Sequence, residues 1–200
     1  MHGLINRSLQ NFVQDVYGPE VWTDVVARAE LEFDEFEAML TYDDDLSFSV
    51  LQATCDQLSK PREVLLEDLG TYLVTHPNTW RIRRLLRFGG ADLIDFLLSL
   101  DDLADRARLA VPDLVLPQIH VISGAGDGAR YILRCEEVGS GMEYIALGCL
   151  RAMADDYGAL AMAQLMDPLD DADTSPRIEV TLLSTKFAAG NRFELTGEVH

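Results

Sequence analysis

Residues 116–136 read LPQIHVISGAGDGARYILRCE, and this stretch decides the fold class. Apolar and polar residues alternate from Leu116 to Ser123 and again from Arg130 to Glu136, which is typical of two β-strands. The glycine-rich residues 124–128 between them predict a hairpin loop. A nucleotide-binding glycine loop would open a helix, so this loop does not predict a nucleotide site.

The chain before this hairpin carries helical patterns. Apolar residues recur at three- and four-residue spacing in segments 4–16, 21–26, 46–58, 64–73 and 80–88, and a shorter apolar stripe covers 33–40. The most apolar stretch predicts a single helix from Ala91 to about Ala110. The hairpin is followed by one long predicted helix, Met142 to Tyr157, and by two predicted strands, Ala161 to Met166 and Arg177 to Leu183.

Helices first and an antiparallel sheet last predict an α+β fold, with an N-terminal helical lobe followed by a sheet lobe that carries one long helix. The length of 200 residues suits one domain, and we place it at residues 1–183. Residues 184–200 form a C-terminal tail to which no element is assigned.

The charge balance excludes several partners. Thirty-four acidic and sixteen basic residues give a formal charge of −18, which disfavours nucleic acid and anionic membrane surfaces. No signal peptide and no apolar run long enough for a membrane helix is seen, so we expect a cytoplasmic protein.

Cys55, Cys135 and Cys149 are widely spaced, and we expect reduced, buried thiols rather than disulfides or redox sensors.

One segment departs from the acidic composition. Arg81, Arg83, Arg84 and Arg87 form the densest basic cluster of the chain. This cluster is either a docking surface for an acidic partner or a solvated helix face that neutralises neighbouring acids, and the sequence leaves both open.

Motifs for catalysis are missing from the sequence. The four histidines, at positions 2, 76, 120 and 200, lack metal-ligand spacing, and there is no nucleophile elbow, P-loop or H-E-x-x-H motif. The sequence therefore predicts that the protein is not an enzyme.

An ordered set of motifs covers about residues 1–183 and consists of Gly3-Leu4-Ile5-Asn6-Arg7, Tyr17-Gly18-x-Glu20-Val21-Trp22, Tyr42, Leu69-Gly70-x-Tyr72, Leu93-x-x-Phe96-Leu97-x-x-Leu100-Asp101-x-Leu103, Pro112, Pro117, Tyr131, Gly141-Met142 and Ile145-x-x-Gly148. This set resembles the H-NOX family of heme-based nitric oxide and oxygen sensors, which includes the heme domain of soluble guanylate cyclase. The resemblance implies a helical lobe and a sheet lobe that enclose heme, in agreement with the α+β prediction.

This chain departs from the family at both heme anchors. The family places its iron-ligating histidine directly after Leu-Asp-x-Leu, and here Leu103 is followed by Ala104, whose methyl group has no lone pair. The family's Tyr-x-Ser-x-Arg motif, which holds the heme propionates, corresponds to Tyr131, Leu133 and Cys135 on one strand face. Arg134 alternates to the opposite face.

The resemblance and its departures support two hypotheses. The first is a regulatory domain for which no cofactor is predicted. It would act through contacts with a signalling protein such as a histidine kinase or a cyclase. The second is a small-molecule sensor that holds another apolar ligand, or heme through Cys135 or His120, in a retained pocket. The resemblance places Ile5, Leu73, Val74 and Pro117 near that pocket, and ordinary core packing explains the same residues equally well.

Overall fold

The computed structural model describes residues 1–123, 129–136, 141–167 and 175–191, and its first half is helical. The helices of this lobe are α1 (Gly3–Tyr17), α2 (Pro19–Arg28), α3 (Asp44–Leu58), α4 (Arg62–Thr75) and, after the 3-10 turn Pro77–Thr79, α5 (Trp80–Arg87). The second half contains α6 (Leu93–Leu98), the 3-10 turn Ser99–Asp102, α7 (Leu103–Ala110), β1 (Gln118–Ser123), β2 (Arg130–Glu136), α8 (Met142–Tyr157), β3 (Leu160–Met166) and β4 (Arg177–Ser184). The α+β prediction is confirmed.

The four strands form one antiparallel sheet in the order β1-β2-β4-β3. The hairpin strands pair in the register Ile119 opposite Cys135 and Val121 opposite Leu133. Strand β2 is therefore a central strand, held by β1 on one side and by β4 on the other. The predicted glycine loop 124–128 lies outside the described residues.

Two apolar cores lie on either side of α4. Leu65, Leu69 and Tyr72 of α4 join a core formed by α1, α2 and α3, whereas Val74 near the end of the same helix joins the core under the sheet. Helix α4 is thus apolar on more than one side, because it is shared between the lobes.

Helices α4 and α8 cross at a pair of glycines. A Cβ atom built on Gly70 would lie 2.1 Å from the carbonyl oxygen of Ile145, and one on Gly148 would lie 2.1 Å from that of Glu67. The thiol of Cys149 donates a hydrogen bond of 3.3 Å to the carbonyl of Gly70 at the same crossing. Only glycine permits this approach, because any side chain would enter the facing backbone.

The single helix predicted from Ala91 to Ala110 is wrong. The chain instead forms α6 and α7, separated by the 3-10 turn Ser99–Asp102. Within the turn, Asp101 Oδ1 accepts a 3.0 Å hydrogen bond from the backbone N–H of Val121, and Arg106 donates to the carbonyl of Ser99 at 3.1 Å. The first bond ties the interrupted helix to the edge strand β1, whereas the second lies within the interrupted segment. A contact between residues twenty positions apart leaves no trace in local periodicity.

We expect Gly148→Ala to lower the free energy of unfolding by about 1–3 kcal/mol, because its methyl group overpacks the α4–α8 crossing. The sign is diagnostic, since alanine stabilises an unconstrained helix interior by about 0.5–1 kcal/mol relative to glycine. Urea unfolding followed by circular dichroism measures the change. Thr75→Ala, at an exposed position on α4, is the control, and equal stability of wild type and Gly148→Ala would contradict the close crossing.

Candidate functional site

Position 104 lies at the start of α7, on its buried side. Ala104 is 3% exposed and Ala107, one turn later, is 2% exposed. The neighbouring Asp105 is exposed and forms an ion pair of 2.8 Å with Arg108. The residue that the resemblance aligns with the iron ligand therefore presents only a methyl group to the interior, and the adjacent carboxylate points elsewhere.

The inner face of β2 is formed by Tyr131, Leu133 and Cys135, which are all buried in the core under the sheet. Arg134 lies on the other face, as the two-residue period of a strand predicts, with its guanidinium 3.4 Å from the Glu136 carboxylate. The inner face of β2 thus has a phenol and a thiol but no cation to meet a carboxylate.

The two alternative iron ligands are placed differently. Cys135 faces the core, where burial raises the pKa of its thiol to about 11 and the Glu143 carboxylate adds to the rise. At neutral pH the thiol is therefore protonated, whereas the thiolate is the metal-ligating form. His120 is more than half exposed on the outer face of β1, with Nε2 3.6 Å from Glu136 Oε2, so its imidazole does not reach the core.

The four predicted pocket residues lie in different surroundings. Val74 lies in the core with Tyr131 and Leu133, Leu73 packs against the core of the helical lobe, and Pro117 is half-buried just before β1. Ile5 lines a separate crevice of about 60 Å³ between α1, α3 and the start of α8. Pockets for organic ligands usually measure about 300–1,000 Å³, so this crevice is too small for a macrocycle.

The two positions that the resemblance assigns to heme contacts lack the groups that it places there. The inner end of α7 supplies no lone pair at position 104, and the inner face of β2 supplies no guanidinium for a propionate. Among the described residues, no group of three or more His, Cys, Asp or Glu side chains is arranged to hold a metal ion.

No described helix has the length and apolar character to cross a membrane.

Part of the basic cluster on α5 serves the fold. Asp156, 3% exposed at the end of α8, accepts a 2.9 Å hydrogen bond from Arg83 and lies 3.5 Å from Arg87. The guanidinium of Arg87 also stacks 4.0 Å above the ring of Tyr157. Sequence reasoning missed Asp156, although a carboxylate in the last turn of a helix opposes the helix dipole and so indicates a partner cation.

The described part of the predicted tail closes over this charge cluster. The backbone amides of Phe187 and Ala188 donate to the carbonyl of Gly158 at 2.8 and 3.0 Å, and Asn191 donates through its side chain to Asp156 Oδ1 at 3.0 Å. The residues after β4 are therefore bonded to the end of α8.

The sequence profile of the Haem-NO-binding family matches residues 2–162, which include α1 to α8, β1, β2 and the first three residues of β3. The chain belongs to this family. Haem-NO-binding domains are sensor domains rather than catalytic domains, which agrees with the prediction that this chain is not an enzyme.

Curated relatives support the assignment at low identity. Soluble guanylate cyclase 89Db of Drosophila melanogaster is 23% identical over 162 residues, which are 81% of this chain and 24% of that protein. Soluble guanylate cyclase gcy-31 of Caenorhabditis elegans is 25% identical over 120 residues, 60% of this chain and 17% of the relative. The chain thus spans at most about a quarter of the curated relatives it matches.

Solved structures of H-NOX proteins share the fold. The Fe(II) unliganded H-NOX protein from K. algicida aligns with a TM-score of 0.73 at 18% identity, covering 97% of this chain and all of that one. The H-NOX protein from S. oneidensis in the Fe(II)NO ligation state aligns with a TM-score of 0.74 at 16% identity. The alignment covers 92% of this chain and 100% of the S. oneidensis chain. At these identities the likeness establishes the fold alone.

We expect the thiols of this Haem-NO-binding domain to resist modification in the folded state. Burial raises the pKa of Cys135 to about 11 and that of Cys149 to about 12, and it raises the pKa of Cys55 as well, so few thiolates are present at pH 8. Ellman's reagent should react slowly with native protein and rapidly with all three cysteines in urea. Rapid native labelling of Cys135, located by mass spectrometry, would contradict this placement.

We expect Asp156→Ala to destabilise the domain by about 3–5 kcal/mol, because it removes the buried carboxylate that pairs with both Arg83 and Arg87. Asp155→Ala is the matched control, since Asp155 is exposed one residue earlier on the same helix and should change stability by less than about 0.5 kcal/mol. Thermal unfolding of the three proteins side by side measures the difference, and equal losses in both variants would show that Asp156 has no special role.

Proposed function

We propose that this chain is a signalling or regulatory domain of the Haem-NO-binding family that does not ligate heme in the family's manner and acts through protein contacts. The observation that carries the proposal is the coincidence of two changes at buried positions of one chain. Ala104 is buried where the family resemblance places the iron ligand, and Tyr131, Leu133 and Cys135 form an uncharged face where it places the propionate clamp.

The packing of this region supports the same proposal. Val74, Leu133 and Tyr131 belong to one continuous buried core together with Leu97 and Leu100, so side chains occupy the interior under β2. Such side-chain packing favours a fold that is stable without a cofactor, because an empty cavity of heme size would be costly.

The partner that fits best is a signalling enzyme such as a cyclase or a histidine kinase. The curated relatives are named soluble guanylate cyclases, and the chain matches at most about a quarter of their length. Their name also supports the cytoplasmic location expected from the sequence. In this proposal the domain contributes regulation by contact, and catalysis belongs to the partner.

A hemin titration under reducing conditions tests the proposal. We expect the wild-type protein to give no sharp, stoichiometric Soret band, because neither Ala104 nor the protonated Cys135 offers the iron a ligand. Apomyoglobin titrated in parallel is the positive control. A stoichiometric band in the wild type that disappears in Cys135→Ala would overturn the proposal and identify the thiol as the ligand.

The variant Ala104→His, titrated beside the wild type, separates the two physical reasons for the missing band. A new Soret band in this variant would assign the loss of binding to the missing imidazole alone. Its absence, in a variant that circular dichroism shows to be folded, would assign the loss to the filled core as well.

A further inference from the structure

The outer side of α5 combines two exposed aromatic rings with two arginines. At 100° per residue, Trp80, Arg81, Arg84 and Phe88 fall within an arc of about 100° around the helix and its first following residue. Trp80 is 49% exposed and Phe88 is 71% exposed, and both arginines are exposed. We call these four residues the α5 surface.

The arginines of the α5 surface differ from their neighbours on the inner side of the helix. Arg83 and Arg87 pair with the buried Asp156, whereas Arg81 and Arg84 have no ion pair with any residue of the described ranges. Arg81 instead lies 5.5 Å from the centre of the Trp80 ring. The basic cluster is therefore divided. Arg83 and Arg87 pair with a buried carboxylate, and Arg81 and Arg84 are exposed to solvent.

Residues of this kind stabilise protein interfaces. Trp and Arg are enriched among the side chains that contribute most binding energy, because they bury large areas and form directed polar contacts. On a chain with a formal charge of −18, an exposed positive and aromatic surface also favours attachment in one orientation, since the remaining surface repels an acidic partner.

We propose that the α5 surface binds an acidic amphipathic helix of a partner protein. Trp80 and Phe88 lie eight residues apart, about 12 Å along the helix axis, and Arg84 lies midway between them. A partner helix with two apolar side chains eight positions apart and carboxylates between them matches this order. The inference rests on the proposed action through protein contacts and is independent of heme binding.

Two other occupants fit the charges less well. A nucleic acid could stack on Trp80 and pair with the arginines, but its phosphates would meet the net negative charge of the chain. A second copy of the chain would bring two acidic molecules together with the same penalty. An acidic helix carries fewer charges than either, and its contacts are confined to the α5 surface.

The experiment uses a fluorescein-labelled helical peptide with two leucines eight positions apart and glutamates midway between them. We expect saturable binding by fluorescence polarisation that weakens with added salt and weakens at least about tenfold in Arg81→Glu/Arg84→Glu. The double variant Arg28→Glu/Arg108→Glu changes the net charge equally, away from α5, and should bind as the wild type does. A peptide with lysines in place of the glutamates should not bind.

Tryptophan fluorescence gives a second readout from the same titration with an unlabelled peptide. Trp22 is buried at 3% exposure, so iodide quenching in the free protein should come from Trp80, and the peptide should protect it. Absence of binding by a folded wild-type protein, or equal loss in both charge-reversal variants, would overturn the proposal. Tighter binding of single-stranded DNA than of the peptide, with the same dependence on Arg81 and Arg84, would replace it with nucleic-acid binding.

The outcome is separable from that of the hemin titration. A heme-binding wild type with a functional α5 surface would overturn the proposed loss of heme and leave the docking proposal intact. A protein that binds neither heme nor the peptide would overturn the docking proposal and leave the proposed loss of heme binding intact.

Discussion

The two lobes depend on one constraint, the backbone contact between α4 and α8 at Gly70 and Gly148. Because neither glycine has a side chain, the helices approach until a Cβ atom on either would strike the opposite backbone. Helix α8 then covers the sheet on its other side, and α4 contributes Leu65 to one core and Val74 to the other. The α4–α8 pair therefore joins the two cores through direct backbone contact.

Local periodicity predicted most of the elements, because it records which side of an element is buried. The alternation from Leu116 to Glu136 gave two paired strands, and the pattern from Met142 to Tyr157 gave a helix with the observed bounds. The interrupted helix between Ala91 and Ala110 was not predictable in this way. At the interruption Asp101 bonds to Val121, which is twenty residues away and so outside the reach of local periodicity.

The candidate site shows the same division. That Tyr131, Leu133 and Cys135 share a buried face followed from the geometry of a strand, and so did the opposite placement of Arg134. The pocket positions were carried by family resemblance alone, and the structure distributes Ile5 and Val74 over different parts of the molecule. Alignment transfers a position in a sequence, whereas the space around that position depends on every neighbouring side chain.

The segment bonded to the end of α8 affects where the protein can be cut without damage. A recombinant version ended at residue 183, after the last predicted strand, would lose the amides that satisfy the carbonyl of Gly158 and the side chain of Asn191 that donates a hydrogen bond to Asp156. The charge cluster, which holds the inner side of α5, would then be exposed to water and to proteases. Residue 191 is therefore a safer limit for protein production than residue 183, even though no new helix or strand begins between them.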